Sequence, residues 1–174
     1  MNWKEYQTKC ITTLKYKSNK EMVACCALEI SDEITEFVEH YLASSDEILL
    51  LKELGDITYP MAVLSYHYDL NIEELVDIYH VSPGMIMNFD DDGIYIAGKI
   101  AGIVKKVIRD SDYVLDNTKD RRAKLQFYLC SLYTSILNHC RKYSINISDI
   151  LSLNIEKLAD RNARGVIQGD GDER

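Results

Sequence analysis

Leu28-Glu29-Ile30-Ser31-Asp32-Glu33-Ile34-Thr35-Glu36-Phe37-Val38-Glu39-His40-Tyr41 reads as one amphipathic helix. With Cys26 and Ala27 just upstream, the apolar side chains of Ile30, Ile34, Phe37, Val38 and Tyr41 fall on a single stripe. Glu29, Glu33, Glu36 and His40 run along the edge of that stripe, and Asp32 and Glu39 point away from it. A second helix is predicted over residues 46–68. There Leu50, Leu54, Ile57 and Met61 form one apolar side, and Leu49, Pro60 and Val63 share the other with Glu53 and Asp56. A helix apolar on two sides belongs inside a bundle, so its two acids are not simply solvated. Pro60 has no N–H for the carbonyl of Asp56, which predicts a kink or a free backbone acceptor beside them.

Outward from this pair the pattern stays helical. The chain has only 2 prolines and 8 glycines, and the periodicity predicts helices near 2–16, 21–43, 46–68, 71–80, 95–110, 119–142 and 146–161. Ser45 and Asp46 suit a helix start, as do Asn71 and Asn146. Strand signals are weak, so the expected class is all-α, a helical bundle. The main interruption is Val81 to Gly93, which holds Ser82-Pro83-Gly84 and the run Asp90-Asp91-Asp92, read as a solvated loop. A length of 174 residues suits one core rather than two domains. Tyr68-Asp69-Leu70-Asn71-Ile72 has a counterpart in Tyr143-Ser144-Ile145-Asn146-Ile147, a hint of internal duplication.

Glu33 with Glu36, and Glu53 with Asp56, are two carboxylate pairs at the i, i+3 spacing that puts side chains on neighbouring turns of one helix face. Two such helices packed antiparallel would gather four acids, and clustered anions stay ionised only when cations lie between them. All-oxygen ligands select hard ions, Mg²⁺ first with Mn²⁺ as its substitute. A formal charge of −8 and a pI near 5.0, with no basic stripe to offset them, argue against a nucleic-acid-binding surface, so a polyanionic ligand would need bridging metal. No signal peptide or membrane span is read, and Cys10, Cys25, Cys26, Cys130 and Cys140 contain no CxxC pair. They are expected to be reduced, mostly buried thiols of a cytoplasmic protein.

Glu5-Tyr6-Gln7, the stretch Leu28 to Glu36, Lys52-Glu53-Leu54-Gly55-Asp56, Asn154-Ile155-Glu156-Lys157-Leu158-Ala159-Asp160-Arg161 and the tail Arg164 to Arg174 together resemble the MazG-like all-α nucleoside triphosphate pyrophosphohydrolases, especially the short phage-type members. In this resemblance the chain is one domain over 1–174. A first repeat, about 1–85, keeps the metal ligands, and a degenerate second repeat, about 86–174, keeps the Asn154, Lys157 and Arg161 element and the tail. Lys99 and Gly102 stand where the second repeat would carry its first acid pair, and Lys124 and Phe127 where it would carry the other. The two halves would then build one composite site, and a homodimer is optional.

The resemblance implies Mg²⁺-dependent hydrolysis of a nucleoside triphosphate to monophosphate and pyrophosphate. Glu33, Glu36, Glu53 and Asp56 would hold metal, and a member of the Glu33/Glu36 pair would act as base. Lys157 and Arg161 would bind phosphate, and Asn154 sugar or phosphate. Trp3, Tyr6, Gln7 and His40 are candidates for the base pocket. The competing reading is a catalytically weak nucleotide-binding or regulatory protein. Phosphoribosyl-ATP pyrophosphohydrolase shares the acid-rich helices but fits the Asn154 to Arg161 stretch less well. The expected stoichiometry is one metal cluster per chain; Mn²⁺ titration calorimetry would show it, and a second cluster around residues 99–127 would break the repeat alignment.

Overall fold

The computed structural model describes residues 1–43, 47–73, 89–115 and 120–166. Within them the chain forms α1 (Trp3–Thr12), α2 (Asn19–Ala43), α3 (Glu47–His67), α4 (Phe89–Ser111), α5 (Arg121–Lys142) and α6 (Ile147–Ala163). No strand occurs among the described residues, and the class is all-α. The suggested start at Ser45 and Asp46, the predicted helix 71–80 beyond Glu73, the Ser82-Pro83-Gly84 turn and the tail beyond Val166 lie outside them.

Helix ends follow local chemistry. Asn2 opens α1 through a reciprocal capping box with Glu5, and Asn146 opens α6 by accepting from the Ser148 N–H. The first helix stops at Thr12, four residues before the predicted 16. Thr13 ends it: its hydroxyl donates to the Cys10 carbonyl at 2.8 Å, and its N–H bonds the same oxygen at 3.0 Å. The fourth helix starts at Phe89 rather than near 95, so Asp90-Asp91-Asp92 occupy its first turn instead of a loop. Pro60 lies inside α3, and the helix continues through it.

Packing centres on α3, which touches α1, α2, α5 and α6, while α2 also packs on α4 and α4 on α5. Its two-sided apolar pattern explains this position: Leu54, Ile57, Met61, Ala62, Val63 and Leu64 are all fully buried. Ile30, Ile34 and Phe37 of α2 and Ile96 and Ile100 of α4 complete the core on that side. Cys10, Cys26, Cys130 and Cys140 are buried free thiols, and Cys25 is half-buried. Burial pushes the Cys10 and Cys130 thiols up to about 12 and Cys140 to about 11, which makes them poor nucleophiles at neutral pH.

The closest approach of α3 to α6 is at Gly55. A methyl group there would lie 3.1 Å from Asn154 Cβ and 3.3 Å from Asn154 Nδ2. Asn154 is 4% exposed and hydrogen-bonded at both ends of its amide, so it cannot move aside freely. Gly55→Ala therefore sets a helix-propensity gain of about 1 kcal/mol against overpacking of about 1–3 kcal/mol. The expected net result is a lower Tm by thermal unfolding; a higher Tm would show that the two helices separate without penalty.

Candidate functional site

Three of the four sequence-predicted acids converge. One carboxylate oxygen each of Glu33, Glu53 and Asp56 lies within 4.8 Å of the other two, and this is the one such group of potential metal ligands among the described residues. The α2/α3 packing brings them together, with Glu33 coming from α2 and the others from one edge of α3. Glu53 is 2% exposed, and its Oε1 sits 3.1 Å from His40 Nδ1. His40 is thus the side chain that orients Glu53. Glu36, one turn beyond Glu33, is exposed and stands outside the convergent group, though its charge acts on Glu33. Glu29 is turned elsewhere, accepting the Tyr16 hydroxyl at 2.9 Å.

Crowding is visible in the proton affinity of Glu33. Burial, then the charges of Asp56, Glu36 and Glu53, push its carboxyl from 4.5 up to about 8, while Lys157 pulls the other way. Lys157 reaches the cluster from α6 and ion-pairs with Asp56 Oδ2. Asn154, one turn earlier on α6, donates from Nδ2 to Asp56 Oδ1 at 3.0 Å. Both oxygens of Asp56 are therefore fixed by residues about 100 positions later. Three carboxylates at this separation, one with its proton held tightly, form an all-oxygen set that fits a hard divalent cation.

Asn154 is itself held from behind. The fully buried Tyr6 donates its hydroxyl proton to Asn154 Oδ1 at 2.7 Å, and its oxygen lies 3.0 Å from Thr58 Oγ1. The Thr58 hydroxyl donates its own proton to the Gly55 carbonyl at 2.7 Å. The direction then runs Tyr6 to Asn154 to Asp56, a line that fixes the Asn154 amide with Nδ2 toward the carboxylate. Tyr6 and Trp3 were base-pocket candidates; the structure places both in the core, with Trp3 2% exposed and its ring 4.6 Å from that of Tyr133. Gln7 donates to Ser65 Oγ at 2.8 Å in a separate cavity lined by Trp3, Ser65 and Glu73. Arg161 is 8% exposed and lines a groove between α3 and α6 with Lys157 and Asn154. Thr58 and Gly55 are site residues that periodicity alone did not single out. Lys99 and Lys124, which replace acids in the second half, are exposed.

Over 78 residues, 45% of this chain and 67% of the other protein, the sequence is 38% identical to the Gene 37 protein of Mycobacterium phage L5. The chain belongs to the family of that phage protein. No family model matches it, and no solved structure does. No helix of the described residues is long and apolar enough to cross a membrane.

In this Gene 37 relative the raised Glu33 carboxyl sets a pH dependence. Below 4.5 Glu33 is protonated both folded and unfolded, and its stabilising proton is fully present; as pH rises towards about 8 that contribution is lost. With metal removed by chelator, Glu33→Gln should flatten the fall of Tm between about pH 5 and 9. Parallel Tm curves for the variant and the parent would show that Glu33 does not carry the effect.

Proposed function

We propose that this chain is a Mg²⁺-dependent nucleoside triphosphate pyrophosphohydrolase, cleaving between the α- and β-phosphates and serving nucleotide-pool control. One observation supports this most directly: Asp56, beside Glu33 and Glu53, is gripped by Asn154 and Lys157 of α6. Anionic ligands on two helices thus meet a cationic, amide-bearing helix from the far half of the chain. A metal-bridged polyphosphate needs both halves of that arrangement.

Glu33, Glu53 and Asp56 are the proposed divalent-ion ligands, and Glu36, one turn beyond Glu33 on α2, is the proposed fourth acid. Bound there, Mg²⁺ supplies neutralisation of phosphate oxygens and a bound water of lowered pKa. The chain's own groups do the rest. A member of the Glu33/Glu36 pair, ionised once the cation is bound, would accept the proton of the attacking water. His40 keeps Glu53 aligned, and the Tyr6–Asn154 line keeps Asp56 aligned, so the ligands need not reorganise as charge builds up. Lys157 and Arg161 offer cations to the phosphate chain, and Asn154 an amide N–H. In this reading the first half supplies the acids and the second half the cations, as duplication with complementary loss would leave them. The cellular site proposed for this chemistry is the cytoplasm.

The direct test is pyrophosphate release across the common NTPs and dNTPs, with and without Mg²⁺. Release that requires Mg²⁺ is expected. Asp56→Asn should lower turnover by ~10²-fold or more, the scale of losing a group that acts in the transition state. Pyrophosphate release at the parent rate from a folded Asp56→Asn protein would end the assignment of the acids.

A further inference from the structure

Helix contacts close a ring of α2, α3, α5 and α4, with α1 and α6 packed against α3. The α2/α4 side of that ring is the one to which neither α1 nor α6 is attached. An ion pair at 3.9 Å between Lys20, at the start of α2, and Asp112, just past the end of α4, shows that these two helices run antiparallel.

Each helix turns a regular stripe to solvent. On α2 the exposed residues Leu28, Asp32, Thr35, Glu39 and Leu42 follow one another at alternating four- and three-residue steps, the spacing that keeps side chains on one face. On α4 the residues Tyr95, Gly98, Gly102, Lys105 and Arg109 repeat that spacing, with Gly102 half-buried and the others exposed. Leu28, Leu42, Ile94 and Tyr95 are each more than half exposed, an apolar surface that no described helix covers.

The two helices are also opposite in charge. From Glu21 to Glu39 there are six acids and no lysine or arginine, and from Gly93 to Arg109 there are four lysines or arginines and no acid. Packing side by side does not neutralise them. Asp32 and Glu39 on α2, and Lys99, Lys105 and Lys106 on α4, form no ion pair among the described residues.

We propose that the α2/α4 side is the interface of a homodimer in which α2 of each copy lies along α4 of its partner. A two-fold contact sets a surface against itself, so the charge pattern selects the axis. With α2 on α2 and α4 on α4, acids would oppose acids and cations oppose cations. An axis parallel to the helices instead lays each acidic strip on the partner's basic strip. Because α2 and α4 are antiparallel, Leu42 near the end of α2 then meets the partner's Ile94 and the partner's Tyr95 near the start of α4. Gly98 and Gly102 leave room for the incoming helix, since a Cβ at either position meets nothing within 4 Å in the single chain. The area is sufficient: helices of 25 and 23 residues are ~35 Å long and together ~20 Å wide, or ~700 Å² per copy beside the ~800 Å² of a standard interface.

Sedimentation velocity of the full chain over a range of concentrations tests this directly. A dimer is expected, and raising NaCl from about 0.05 to about 0.5 M should weaken it by about 10-fold or more as the strips are screened. Lys105→Glu and Asp32→Lys, both exposed, should each weaken association by about 10-fold or more, and the double variant should recover towards the parent. Gly98→Leu fits the single chain and should block the dimer with helix content unchanged. A parent chain that stays monomeric up to about 100 μM would overturn the proposal. So would a dimer that tolerates all of these substitutions, because its contact would then lie on another face.

Discussion

The contact on which the site depends is the one between Gly55 and Asn154. A Cβ at position 55 would press on Asn154 at 3.1 Å, so the missing side chain lets α6 lie this close to α3 without displacement. That proximity brings Asn154 and Lys157 within reach of the two oxygens of Asp56. A wider spacing would leave the three carboxylates facing one another with no fixed donor, and their repulsion would be relieved by protons or by separation of α2 from α3. The charge pattern of the site is thus a consequence of helix spacing, and helix spacing of one missing methyl group.

Much of this was legible in the sequence because it follows periodicity. The stripe through Ile30, Ile34 and Phe37 and the two apolar sides around Leu54 and Ile57 fix which helices pair and which one is central. The i, i+3 spacing placed Glu53 and Asp56 on one edge of α3, and the packed helices then brought Glu33 beside them. What periodicity does not encode is reach. Glu36 has the same spacing as its partner yet stays exposed, because the position of α3 against α2 selects which of two neighbouring turns faces the acids.

The aromatic residues near the start show a different limit. Trp3, Tyr6 and Gln7 carry the chemistry of a base pocket, but a side chain's role depends on what covers it. α1 lies against both α3 and α6, so Trp3 and Tyr6 are sealed inside, and the Tyr6 hydroxyl serves the site through Asn154. A tyrosine that touches a ligand and a tyrosine that braces the residue touching it look alike until the third dimension is known. The end of α1 has a local cause that periodicity does not carry: a threonine turning back on its own helix.

The separations across the site also bear on how the molecule comes into being. Asn154 lies 98 residues from Asp56 and 148 from Tyr6, whereas α2 and α3 are neighbours in the chain. During synthesis the acid-bearing pair emerges first, and the helix whose Asn154 and Lys157 grip Asp56 follows about a hundred residues later. Contacts of such range close slowly compared with local helix pairing. Until α6 is made, the donors of Asn154 and Lys157 are absent and Asp56 has no fixed partner from that helix. The order of translation, more than the finished fold, sets the moment at which this protein is most exposed to misassembly.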